Sequence, residues 1–247
     1  MRRFPLVLMM GALLATTACQ QQASSEAIAA GETAETTEPV VEPLAPEEAN
    51  ALAFRTAWDE APPVTASDPD PDSDLEGSFA FRQGTVRDLG AGLFALVSSG
   101  VGDDGAGAVA IHYLVRTEDG FRDSDVDPLF VSAGTGGEPQ WTLRTDLTPQ
   151  PALVVEARST GEGRTCATGT LVELTPSHPV LRALDMRLKV EDSQGGADGS
   201  AEAQLSRGTV GRDFTLTYTG ASEAEVDYVL TDMGFYRAMS EPSLPWC

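Results

Sequence analysis

From residue 77 onward the apolar positions keep a short period. "AVAIHYLVRT" (108–117) and "ALVVEARS" (152–159) are rich in Val, Ile and Leu, and runs of this length and branching read as β-strands. In the first run, alternation sets Val109, Ile111 and Tyr113 on one face and Ala110, His112 and Leu114 on the other. Asp119-Gly120 follows directly and predicts a tight hairpin turn, because both residue types tolerate positive φ. No long helical period occurs in this region. Ahead of it, "PEEANALAFRTAWDE" (46–60) opens with Pro and Glu and spaces Leu52, Phe54 and Trp58 among alanines, which predicts a short helix packed on the domain behind it.

The strand patterns recur in order. "GTVRDLGAGLFALVSSG" (84–100) aligns with "GTVGRDFTLTYTG" (208–220), and "IHYLVRTEDGFR" (111–122) aligns with "VDYVLTDMGFYR" (226–237). Segments 144–157 and 169–182 follow the same plan more loosely. Recurrence in the same order predicts about three related β units of roughly sixty residues each. The expected fold class is all-β, an antiparallel sandwich or barrel, with a trefoil-like or propeller-like arrangement as the alternative.

Composition divides the chain. Residues 1–18 form a basic, then apolar, then small-residue series, and its apolar stretch of about eleven residues is too short to span a bilayer as a helix. Residues 19–46 are Gln, Ala, Ser, Glu, Thr and Pro with few large apolar side chains, a composition that cannot bury enough surface to fold and predicts a flexible linker of roughly 30 Å reach. A short helix and an acidic loop occupy 47–76, and the β domain runs from 77 to 247. The acidic string "SDPDPDSDLEG" (67–77) offers carboxylates, but from Asp70 an EF-hand register puts Leu75 where the turn needs Gly, and Pro69 and Pro71 stiffen the string. We read it as solvated linker and expect no metal site or cofactor. The net charge of -22, from 16 Lys+Arg against 38 Asp+Glu, excludes nucleic acid and anionic lipid headgroups as natural partners.

"LLATTACQQQ" (13–22), preceded by Arg2 and Arg3, resembles the bacterial lipoprotein signal, in which a small-residue box is cut and the new N-terminal cysteine is lipidated. Thr17 and Ala18 suit the box and Cys19 stands at the modified position, while Thr16 replaces the usual Leu or Val. The resemblance covers about the first twenty residues. It implies a lipid (palmitate-bearing) anchor at Cys19 and, with Gln20 next, an outer-membrane location facing periplasm or exterior. The alternative is cleavage near Ala18 that leaves an unlipidated thiol. With Cys19 set aside, Cys166 in "GEGRTCATG" and Cys247 at "PSLPWC" remain as one even pair. In an oxidising compartment they are expected to bridge, closing about eighty residues for roughly 4 kcal/mol of chain entropy.

Candidate chemistry is sparse. Ser98 and Ser99 lack the strained Gly-x-Ser-x-Gly elbow, and the two histidines, His112 within a strand and His178 in the turn "TPSHPV", read as packed and as turn surface. "SGVGDDGAGA" (99–108) has glycines but no following helix or Lys to cradle phosphate. Glu156 and Glu173 could form a carboxylate pair if they came within about 5 to 9 Å, and Trp141, Tyr113 and Tyr228 a sugar platform if the units converge. The expected function is therefore a non-catalytic envelope lipoprotein that binds a protein or glycan through loops such as 99–108 and 159–169. The alternative is a carboxylate-dependent envelope hydrolase using Glu156 and Glu173, or His112 with Asp103 and Asp104.

Overall fold

The structure, a computed structural model, describes residues 44–70, 75–82, 84–161, 163–192 and 199–241. The signal segment, Cys19, most of the linker and Cys247 lie outside the described residues. The predicted helix is present as α1, Pro46–Trp58, with Pro at its first turn and Glu47 and Glu48 where the macrodipole favours acids. Fifteen strands follow among the described residues, and they form two antiparallel sheets, so the all-β expectation holds.

The first sheet orders β1 (Val64–Ala66), β2 (Phe79–Phe81), β4 (Leu93–Gly102), β5 (Gly107–Thr117) and β6 (Gly120–Asp123). Beside that path, β3 (Thr85–Gly90) pairs with β4, and β7 (Leu129–Ser132) pairs with β5. Because β1 already belongs to this sheet, the β domain begins before residue 77. The second sheet joins sequential neighbours only: β8 (Gln140–Arg144), β9 (Ala152–Gly161), β10 (Arg164–Leu174), β11 (Pro179–Asp192), β12 (Ala201–Arg207), β13 (Asp213–Gly220), β14 (Ala224–Leu230) and β15 (Tyr236–Ala238). It curls into a half-barrel. β12 keeps β11 for only two rungs, Lys189↔Glu202 and Val190↔Ala201, then swings toward β8, where Arg144 Nη1 donates to the Leu205 carbonyl at 3.3 Å.

Strand alternation builds three apolar layers. Val109, Ile111 and Tyr113 of β5 meet Leu153 and Val155 of β9 and Val172 of β10 between the sheets. The opposite face of β5, Ala108, Ala110 and Leu114, packs with Phe54 of α1 and with Phe79 and Phe81. Inside the half-barrel, Val154, Leu171, Met186, Phe214, Leu216, Tyr218 and Tyr228 form a third core. The aligned segments map onto this plan. The first unit lies in the first sheet, and the middle and last units merge in the second; two face-to-face sheets replace the trefoil or propeller alternative.

Two turn expectations shift by a residue or more. Thr117 pairs with Gly120, so the β5–β6 loop is Glu118-Asp119 and Gly120, at φ 142, opens β6. A side chain at Gly120 would strike Leu52 of α1, its Cβ 2.5 Å from Leu52 Cδ2, which ties this turn to the docked helix. The segments read as loops, 99–108 and 159–169, are mostly β4, β5, β9 and β10 joined by short turns. Their glycines serve packing as well as turning: a Cβ at Gly169 would lie 2.9 Å from Leu188 Cδ1.

Candidate functional site

A cleft of about 410 Å³ lies at the seam of the second sheet where β11 and β15 approach without pairing. Its position follows from a bulge. Against β10, the register runs Gly169↔Met186 and then Leu171↔Ala183, so two steps on β10 span three on β11. The surplus extrudes Leu184, which is 55% exposed, and puts Asp185 at φ 53. Bulges re-aim side chains and end pairing, and here the bulged stretch has a strand only on its β10 side.

Tyrosines from three successive strands form the floor. Tyr218, Tyr228 and Tyr236 sit at the same inner face of β13, β14 and β15 and are all buried. Phe214 backs them, stacked on Tyr228 at 4.9 Å and tilted against Tyr236 at 5.0 Å. Two of the phenols are anchored: Tyr218 Oη donates to the Arg187 carbonyl at 2.7 Å, and Tyr236 Oη to the Leu147 carbonyl at 3.3 Å. Tyr228 Oη has no hydrogen-bond partner among the described residues. Burial raises the Tyr228 phenol above its ordinary value; Arg187 opposes the rise and Asp185 adds to it. All three tyrosines are raised by burial first, so they stay protonated at neutral pH and act as donors rather than bases. At one end Arg182 closes the seam, bonding Glu173 Oε2 through Nε at 2.6 Å and the Gly234 carbonyl through Nη1 at 2.9 Å.

The residues singled out from sequence are placed apart. Glu156 and Glu173 share no rung: Glu156 pairs with Gly169 and Glu173 with Ala152, four residues along the strands, or roughly 13 Å. Each is also tied to an arginine, Glu156 to Arg158 at 2.8 Å and Glu173 to Arg182. They do not form the acid–base pair considered for a hydrolase. His112 stands opposite Leu96, whereas Asp103 and Asp104 lie beyond the last rung, Val101↔Gly107, about 17 Å along the strand. Tyr113 and Trp141 belong to the layer between the sheets and Tyr228 to the half-barrel, so no shared sugar platform forms. His178 is exposed turn surface, its Nδ1 2.9 Å from Ser177 Oγ.

Cys166 lies in β10 rather than in a loop, is 1% exposed and packs with Val190 and Ala201 at the β11–β12 corner. It is disulfide-bonded; Cys247, its expected partner, is outside the described residues. Of the cleft residues only Tyr228 is singled out from sequence, and in a different grouping, although one signal for the rest was available. In "LRALDMRLKV" the alternation changes phase between Ala183 and Leu184, and a one-residue slip with both phases apolar marks a bulge.

His112 is packed as expected, 6% exposed, with the Trp58 indole edge-on at 4.4 Å. Its Nδ1, Ser98 Oγ and Trp58 Nε1 are all buried without hydrogen-bond partners among the described residues. Burial pushes the His112 pKa down from 6.5 to about 4. The unfolded chain takes this proton below about 6.5 and the folded chain only near 4, so stability falls as pH drops through that window, by roughly 3 kcal/mol from this group. We expect His112→Leu to remove that slope. Urea titrations of both proteins at pH 7 and pH 4 measure it, and equal pH dependence in the two would refute the assignment.

Comparison with protein families, curated proteins and solved structures finds no match to this chain.

Proposed function

We propose that this chain is a cell-envelope lipoprotein, anchored through a lipid on Cys19 in the outer membrane, whose non-catalytic β domain binds a protein or glycan partner. A Cys166–Cys247 disulfide belongs to the same reading, because both residues would then be oxidised in one compartment. The observation that carries the binding role is the β11–β15 cleft. Its volume of about 410 Å³ lies in the range of ligand sites; Leu184, 55% exposed, lines it, and Phe235 at 42% and Met239 at 69% flank β15, the strand that forms one wall. Apolar groups gathered beside an open cleft favour association with a partner. The wide spacing of Glu156 and Glu173 leaves the hydrolase alternative without its acid–base pair.

The anchor and the binding role have separate tests. Wild-type chain is expected to incorporate labelled palmitate, and Cys19→Ala to lose that label entirely; unchanged labelling refutes the anchor. For binding, a photo-crosslinking residue at Met239 is expected to capture a partner in intact envelopes, while the same residue at Asp88, exposed on the other sheet, captures none. Equal yield at both sites, or none at Met239, refutes the cleft as the binding face.

A further inference from the structure

The outer edge of β15 is unpaired in a way that can be read peptide by peptide. Tyr228 faces Ala238, and Leu230 faces Tyr236. Met239 N donates to the Asp227 carbonyl and Thr231 N to the Phe235 carbonyl, both at 2.8 Å. Those bonds fix the alternation of the ladder, so Arg237 exchanges its bonds with Val229 while the N–H and C=O groups of Tyr236 and Ala238 point away from β14. None of these four groups has a partner among the described residues. They point into the seam, whose far wall is the bulged stretch of β11.

Resting on the binding role proposed above, we infer that the seam is a slot for one extended peptide, which adds to β15 as a strand and presents an acidic side chain between two apolar ones. Backbone groups arrayed along a strand edge are satisfied as a set only by another extended backbone. β11 forms the far wall of the seam, so a second sheet, backed by its own neighbours, would meet it. The side-chain pattern follows from the exposed face of β15. Phe235, Arg237 and Met239 alternate along β15 and the residue that flanks it at each end, all exposed, and Arg237 has no ion pair among the described residues. Cross-strand neighbours on one face pair apolar with apolar and opposite charges with each other. The matching peptide therefore reads apolar, any, acidic, any, apolar. Buried Tyr236 lies on the other face of the strand, toward the half-barrel core.

The test uses the full chain and a fluorescent, end-blocked heptapeptide of threonines with valine at its second and sixth positions and glutamate at its fourth. We expect saturable binding that weakens tenfold or more in Ala238→Pro. Proline is tolerated on an edge strand where its N–H would face outward, so the variant should melt with wild type. N-methylation of the peptide at alternate residues should cost the same factor without altering the protein, and Arg237→Glu should reverse the preference from glutamate to lysine at the fourth position. Peptide binding indifferent to both backbone changes overturns strand addition but leaves a binding protein. So does binding of N-acetylglucosamine oligomers that Tyr228→Phe abolishes, with no peptide bound at millimolar concentration. Loss of all binding together with a silent crosslinker at Met239 refutes both.

Discussion

Replacing Arg182 with methionine is expected to lower the unfolding free energy by about 3 to 5 kcal/mol, the usual cost of stranding a buried charge. Glu173 is only 3% exposed, and its carboxylate is met by Arg182 at 2.6 Å and by the Gln150 N–H at 3.1 Å. Without the guanidinium, one backbone donor remains for a buried anion. The same change frees the Gly234 carbonyl, which Arg182 Nη1 holds at 2.9 Å, and so loosens the turn leading into β15. The paired variant Arg182→Met with Glu173→Leu separates the two effects, because removing both charges restores most of the loss if the penalty is electrostatic. Urea titration at pH 7 measures all three proteins. A single variant within about 1 kcal/mol of wild type would sink this account of the pair.

Phe214→Ala should be of similar size, about 3 to 5 kcal/mol, as for other large-to-small changes at fully buried aromatic positions. Phe214 is 0% exposed and sits behind two of the three cleft tyrosines. Its removal opens a void in the half-barrel core and withdraws the ring against which Tyr228 stacks at 4.9 Å. Loss of stability should therefore come with a reduced tyrosine signal in near-ultraviolet circular dichroism under folding conditions. A large loss of stability with an unchanged tyrosine band would place the damage elsewhere in the core.

The parts of the fold that sequence reveals are those whose two faces answer to one rule. In β5 both faces are covered, one by the second sheet and one by α1, and strict alternation assigned Val109 and Ile111 to one layer and Ala110 and Leu114 to the other. Helix α1 was equally plain, because Pro46, Glu47 and Glu48 mark its start and Phe54 its packed side. Glycine misled where it was taken for a loop signal: Gly169 is a strand residue kept small by the approach of Leu188. The cleft was hidden for a different reason. Tyr218, Tyr228 and Tyr236 are ordinary inward positions of three strands, and only the register of the meander brings them to one wall. Nor does local sequence disclose that β12 abandons β11 after two rungs, since that parting is decided by the curl of the whole sheet.

The nearest-neighbour order of the second sheet bears on how the molecule assembles. Each strand from β8 to β15 pairs only with those adjacent in the chain, so each addition closes a short loop and incurs little entropy cost, whereas the first sheet must bring β2 to β4 across β3. A chain emerging from its N-terminus can lay down the half-barrel hairpin by hairpin, every new strand covering the edge left by the last. β15 is the final described strand in that series. Its exposed edge resembles the growing end of a template: the same backbone geometry that received each strand in turn is still presented when the chain's own supply of described strands has run out.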